Sequence, residues 1–381
     1  MRRKHGQAAT RSGREPTEAR RGGCEARRRA GSDPPEPAVE PLEPRLLLDA
    51  THLAFPREVL AVGGWAGGII AADLSGDGRI DLAVANGAGN TVTVHYGQTG
   101  GGFGDREDIG AGSWPRGIAS GDFNGDGRAD LAVTNHTDED VAVLYGQPGG
   151  GFGDREDIPM PDNPTDIVSA DFNGDGRADL AVAKDHDDAV TILYGQEDGG
   201  FGGWEDVPTG GNPRGLVTAD LNGDGRMDLA LANGSDNDVS ILYGQAGGGL
   251  GGRQDFAVGN APGRVDATDL NGDGLTDLVV TNISDNDVSI LYGQAGGGFA
   301  GRQDVDVGDG PGGVVGADFD GDGRADLAVT RQHADTLSIL YGQAGGGFGD
   351  RQDLNMGDWP TAIVSADFNA DGVPDLALTE Y

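Results

Sequence analysis

A single cysteine, Cys24, is all that the 381 residues offer, so the chain has neither an intramolecular disulfide framework nor a multi-cysteine metal site. Basic residues are scarce as well. Twenty-seven Lys and Arg stand against 63 Asp and Glu, a net charge of −36, which opposes nucleic-acid and anionic-membrane binding, since both need a basic footprint. Cations are the natural partners of such a chain. No apolar run approaches the ~18 residues of a membrane span, and helical periodicity sustained over ten residues is missing from residue 51 onward. Glycine is what the chain has in abundance: 71 glycines with 18 prolines, a composition close to the border where aperiodic chains stay disordered.

The first 50 residues differ from the rest. They hold 11 Lys/Arg and 8 Asp/Glu, which leaves the remaining 331 residues a net charge of −39. Arg2, Arg3, Lys4 and Arg27, Arg28, Arg29 precede a run containing Pro34, Pro35, Pro37, Pro41 and Pro44 without apolar periodicity. Residues 1–50 therefore read as a solvated, disordered tail, and they lack the 7–15-residue apolar stretch of a secretory signal peptide. Within the tail, Leu42-Glu43-Pro44-Arg45-Leu46-Leu47-Leu48-Asp49-Ala50 resembles the LEPR-x-LL motif near the N-termini of large exported surface proteins of planctomycetes and some other bacteria. That resemblance implies an extracellular or cell-surface protein. The other reading of 42–50 is an apolar linker docked on the body.

From residue 51 the chain repeats. Segments of the form Asp-x-Asn-Gly-Asp-Gly-x-x-Asp begin at Asp73, Asp122, Asp171, Asp220, Asp269, Asp318 and Asp367, each 49 residues after the last. The register extends to Tyr96, Tyr145, Tyr194, Tyr243, Tyr292 and Tyr341, and to Phe103, Phe152, Phe201, Leu250, Phe299 and Phe348. A period near 50 means solenoids or propellers. Each unit reads as four short strands: in the third, residues 167–172, 179–183 and 190–194, with a weaker strand around 205–207. Runs such as Leu131-Ala132-Val133 are apolar without alternation, as in strands covered on both faces. Four strands in each of seven units predict an all-β, seven-bladed β-propeller with four-stranded antiparallel blades over residues 51–381.

The aspartate loop, the Leu-Ala-Val strand after it, the Ile-Leu-Tyr-Gly strand and the Gly-Gly-Phe-Gly turn together resemble the FG-GAP/VCBS-type repeats, whose best-known fold is the integrin α-subunit propeller. The resemblance covers about 51–381 and is specific for fold rather than function, because the same propeller serves adhesion, carbohydrate binding and, as a scaffold, some lyases.

In the aspartate loops, positions 1, 3 and 5 aim hard oxygen donors at one point, the position-7 carbonyl adds another, and the last aspartate closes the shell, a set suited to Ca²⁺. The candidate ligands are Asp73, Ser75, Asp77 and Asp81; Asp122, Asn124, Asp126 and Asp130; Asp171, Asn173, Asp175 and Asp179; and Asp220, Asn222, Asp224 and Asp228. The series continues through Asp269, Asn271, Asp273 and Asp277; Asp318, Asp320, Asp322 and Asp326; and Asp367, Asn369, Asp371 and Asp375. Position 12 falls in a strand, so these are loops of a β-hairpin rather than EF-hands. Up to seven structural Ca²⁺ are expected, weakest in loop 1 (Ser75) and loop 7 (Ala370, Pro374) and tightest in loop 6 with its four carboxylates. The alternative is a set of Asx-rich turns without metal.

By analogy with the integrin-like propeller, a ligand meets the opposite, top face. At one crossing position the repeats carry Trp65, Trp114, Asn163, Asn212, Ala261, Gly310 and Trp359. The three tryptophans lead into blades 1, 2 and 7, neighbours in a closed ring, where they form an aromatic patch for a sugar ring or a partner's side chain or pack against the next blade beside Pro115 and Pro360. His136, His186 and His333 lie in the other top-face loops. A lyase-like enzyme using His333 with Arg331 is the competing class, and no catalytic residue is assigned. The expectation is a monomeric adhesion or binding module for a glycan or protein.

Closure completes the reading. Residues 54–63 align with 348–357, so the N-terminal side supplies an outer strand that latches blade 7. Leu376 to Thr379 is a second strand with no third after it, which leaves the seventh blade incomplete, or the reading frame cut short, and the second strand an exposed edge.

Overall fold

The computed structural model describes residues 38–42, 46–49, 52–54 and 58–381 apart from 185–186, with side chains from residue 58 onward except at 105 and 350. His186 and most of the LEPR-x-LL segment therefore lie outside the described residues or side chains.

Six four-stranded antiparallel sheets are each built from one repeat. Blade 2 runs through Pro115–Gly121, Asp130–Asn135, Asp140–Gly146 and Phe152–Pro159. Asp130 pairs with Gly121 across the aspartate loop, and Leu131 pairs with Leu144 in the next strand. Every residue of the second strand is buried, which is why Leu131-Ala132-Val133 shows no alternation. The fourth strand turns exposed, charged residues outward, so each sheet runs from an apolar inner edge to a solvated rim. Blades pack face to face in chain order: Ala83, Ala85, Val92 and Val94 of blade 1 share a cluster with Ile118, Leu131, Val133 and Leu144 of blade 2. Truncating one of these fully buried leucines to alanine costs about 2–5 kcal/mol.

The inner strands approach closely. A Cβ on Gly67 would lie 2.8 Å from the Arg116 carbonyl oxygen, and one on Gly215 2.6 Å from that of Gly263. Threonine hydroxyls on second strands tie each blade to the first strand of the next repeat: Thr134 donates to the Thr165 carbonyl at 3.1 Å and Thr330 to that of Thr361 at 2.9 Å. Thr379 donates to Gly67 at 3.3 Å and joins the last repeat to the first.

The expected seven blades are corrected to six. The seventh repeat supplies only two strands, Ile363–Ala366 and Asp375–Thr379, and these share a sheet with Ala38–Leu42 and Leu60–Ala61 from before the first repeat. This composite sheet sits between blade 6 and blade 1: Ile363, Leu376 and Leu378 pack on Phe319 and Ile339, while Leu60, Val62 and Ala377 pack with Leu82 and Val84. Three further readings change with it. Asp375–Thr379 is no exposed edge, because Ile363–Ala366 pairs with one side and Ala38–Leu42 with the other, Val39 opposite Thr379 and Leu42 opposite Leu376. Ala38–Leu42 falls inside the segment read as a disordered tail, yet it is a paired strand. Among the described residues of the expected outer strand over 54–63, only Leu60–Ala61 joins this sheet; His52–Ala54 pairs with Leu46–Asp49.

Candidate functional site

Each aspartate loop is organised by its first and last carboxylates. In blade 2, Asp122 Oδ1 accepts from the Gly125 and Asp126 amides at 2.7 and 3.1 Å, and Oδ2 from Gly127 at 2.8 Å. Asp130 Oδ2 accepts from the Phe123 amide at 2.9 Å and Oδ1 from Gly146 at 2.8 Å. Gly125 and Gly127 hold φ near +75° and +80°, where a Cβ is disfavoured. The closing aspartates Asp81, Asp130, Asp179, Asp228, Asp277 and Asp326 are fully buried. Burial raises their carboxyls above the usual range, against the pull of the donated amides, and it takes Asp179 and Asp326 to about 6.

The third position varies more. Asn124, Asn173 and Asn271 accept from the position-5 amide at 2.8–2.9 Å, whereas Asn222 turns its amide onto Asp228 at 3.1 Å. In loop 6, oxygens of Asp318, Asp320 and Asp326 lie within 4.8 Å of one another. Arginine at position 7 is a feature the motif did not reveal. Arg79, Arg128, Arg177, Arg226 and Arg324 each pair with the position-5 aspartate of their own loop. Leu275 and Val373 replace it in loops 5 and 7. The donors are hard oxygens of the type Ca²⁺ takes, and five of the seven loops also carry an internal cation.

The second candidate region is a cavity of about 560 Å³ at the mouth of the central channel, opposite the aspartate loops. Trp65 and Trp114 stand at its rim, 56% and 38% exposed, with ring centroids 5.6 Å apart. Tyr381 meets Trp65 edge-on at 5.0 Å. Trp359 is not part of this group; its ring lies 5.1 Å from His333. The crossing position is left-handed in every repeat: φ is +59° at Trp65, +61° at Trp114 and +57° at Trp359, and +54° to +67° at Asn163, Asn212, Ala261 and Gly310.

Below the rim lie Arg116, Arg214, Arg264 and Asp166, none of which the repeat pattern predicts. Arg264 Nη1 meets Asp166 Oδ2 at 2.6 Å. His136 sits between Arg116 Nη1, 3.4 Å from Nδ1, and Asn163 Nδ2, 3.3 Å from Nε2. Arg331 reaches Asp353 at 3.3 Å. Burial raises the Tyr381 phenol above its usual range, while Arg116 and Arg264 pull the other way. A signal for Arg116 and Arg214 exists in the sequence: the inner-strand series Gly67, Arg116, Thr165, Arg214, Gly263, Gly312, Thr361 breaks its run of small residues twice, and both breaks are arginine.

The FG-GAP-like repeat matches the chain six times, over residues 73–133, 122–182, 171–231, 220–280, 269–329 and 318–378. The chain belongs to the FG-GAP-like repeat family. Six matches agree with six complete blades. No curated protein matches the sequence. Among solved structures, this FG-GAP-like chain is similar to a putative 6-phosphogluconolactonase from Bacteroides fragilis NCTC 9343 (TM-score 0.60, 17% identity, 87% of this chain and 99% of that one). It is also similar to the periplasmic gluconolactonase PpgL of Pseudomonas aeruginosa (TM-score 0.59, 19%, 85% and 98%). A third likeness is to an Agrocybe aegerita lectin that recognises non-reducing terminal N-acetylglucosamine (TM-score 0.57, 19%, 91% and 96%). At these identities the likeness is one of fold.

Proposed function

We infer that this FG-GAP-like chain is an exported binding module, stiffened by structural Ca²⁺ in its aspartate loops, that presents the channel mouth to a glycan. The backbone beneath the tryptophans carries this reading. A left-handed residue with a Cβ costs about 1–2 kcal/mol, and Gly and Asn meet that conformation most easily. Three repeats nevertheless hold tryptophan there, and each indole leaves 38–56% of its surface open to solvent. Backbone strain kept at exposed positions points to a role outside the fold, and paired indoles beside a polar cavity suit a sugar ring.

Calcium fits the oxygen donors and the charge, since seven divalent ions would bring −36 to −22. Export rests on the LEPR-x-LL resemblance. The test is a glycan array with the wild-type chain, Trp65→Asn and Trp114→Asn. Binding by the wild type that both variants lose while keeping their melting temperature supports the module; wild-type protein that binds no glycan counts against it.

A lyase-like, polysharide-acting enzyme is the second reading, favoured by His136 held between Arg116 and Asn163 at the cavity edge. Turnover of acidic polysaccharides that His136→Ala abolishes would establish it.

A further inference from the structure

The body of the chain, from residue 51, contains 16 basic residues, and nearly all have a place in the repeat. Five arginines sit in the aspartate loops, paired as described above. Five more, Arg106, Arg155, Arg253, Arg302 and Arg351, pair on the outer strands with the aspartate two residues on. Lys184 pairs with Asp187 and Asp206, and Arg331 with Asp353. Arg57 lies outside the described residues. The remaining three are Arg116, Arg214 and Arg264, and all three line one cavity.

No periodic structural demand accounts for them, since Arg116 and Arg214 occupy a position that is Gly or Thr in the other five repeats. Among the described residues Asp166 is the only side-chain carboxylate of the lining, so the side chains there carry a formal +2 in a chain of −36. Asp166 is committed to Arg264. Arg214 is exposed and makes no hydrogen bond or ion pair among the described residues. An exposed guanidinium offers a planar fork that matches a carboxylate. The acidic exterior does not forbid this, because exposed charges more than about 8 Å away are screened at physiological salt.

We propose that the channel mouth binds a carboxylate-bearing sugar, with Arg214 and Arg116 receiving the carboxylate of a uronic acid while Trp65 and Trp114 receive the ring. This rests on the glycan-binding reading and names its ligand class. Guanidinium forks and an indole pair at one opening give a uronide two complementary contacts; a neutral sugar uses the second alone, and an acidic peptide the first.

The test is titration calorimetry of the full chain with tetragalacturonic acid, galactotetraose, tetraglutamate and inorganic phosphate, repeated on Arg214→Gln and Arg116→Gln. The expected result is tetragalacturonate binding about tenfold (~1.4 kcal/mol) more tightly than galactotetraose, with either substitution closing most of that gap and leaving galactotetraose affinity and melting temperature unchanged. Equal affinity for the two saccharides, or a substitution that weakens both alike, overturns the carboxylate assignment and leaves the glycan reading standing. Tetraglutamate or phosphate binding as tightly as tetragalacturonate overturns the sugar assignment. No binding of either saccharide removes the glycan reading together with the proposal.

Discussion

The indoles of Trp65 and Trp114 lie 5.6 Å apart, centroid to centroid, although 49 residues separate them, and both stand on left-handed backbone. Asn163 and Asn212 fill the same position in blades 3 and 4, so asparagine is compatible with the crossing. Replacing either tryptophan by asparagine relieves about 1–2 kcal/mol of backbone strain and loses an aromatic contact worth about 0.5–1.5 kcal/mol. The melting temperature of Trp65→Asn and Trp114→Asn should therefore stay within a few degrees of wild type while glycan binding disappears. Trp359→Asn, away from the cavity, should leave binding intact. A large drop in melting temperature for Trp114→Asn would mean that the indole serves the fold.

Ring closure gives a second test. Val39 pairs with Thr379 and Leu42 with Leu376, so a chain beginning at residue 51, where composition changes, lacks the strand that covers Asp375–Thr379. Such a chain should melt several degrees below one beginning at residue 36 and should aggregate through the uncovered edge. Scanning calorimetry and size-exclusion chromatography of the two chains decide it, and equal behaviour would mean that Ala38–Leu42 contributes nothing to closure.

These two cases mark what the sequence made legible. The 49-residue register of Asp122, Leu131 and Tyr145 is written in side chains, because the loop, the buried strand and the cross-blade packing each demand particular residue types in every repeat. Ala38–Leu42 is recruited through backbone pairing at a sheet edge, which leaves no periodic mark, and its one glutamate and one proline resemble those of the tail around it. Counting aspartate loops therefore overcounted blades: the loop of Asp367 is present, but its repeat brings only two strands. The channel mouth was hidden for another reason. Arg264 meets Asp166 across 98 residues, and Tyr381 reaches Trp65 across the closure of the ring, so convergence exists only once the blades have closed.

His95 sets a pH dependence. It replaces the leucine found at Leu144, Leu193, Leu242, Leu291 and Leu340, is buried, and places Nε2 3.0 Å from the Ala61 carbonyl of the closing sheet. Burial lowers its pKa below 6.5; the Ala61 carbonyl and Asp108 favour the charged ring and Arg106 opposes it. The unfolded chain therefore takes up this proton as pH falls through 6.5 while the folded chain does not, so stability declines on acidification until the folded pKa is reached and is unaffected well above 6.5. Melting temperatures between pH 8 and pH 5 should fall less steeply for His95→Leu than for wild type. Identical slopes would show that His95 is not the titrating group.

If the aspartate loops hold Ca²⁺ as proposed, its removal should affect them unequally. At ten times its Kd, each bound ion adds about 1.4 kcal/mol by mass action, so several filled loops together approach the ~5–15 kcal/mol stability of a whole domain. EDTA should then lower the melting temperature by many degrees. The arginines grade this effect. Asp77, Asp126, Asp175, Asp224 and Asp322 each keep an arginine partner, whereas Asp273 and Asp371 sit beside Leu275 and Val373, so loops 5 and 7 depend most on an added cation. Hydrogen exchange after chelation should rise first at 269–277 and 367–375. Leu275→Arg supplies the missing cation and should narrow the gap in exchange between loop 5 and loops 2 to 4. Asp320→Asn, which gives loop 6 the residue of loops 2 to 5, should weaken Ca²⁺ binding there without unfolding the chain, because the Asp318 and Asp326 carboxylates keep their backbone amides. Melting that is the same with and without EDTA would mean that amides and arginines alone hold the loops.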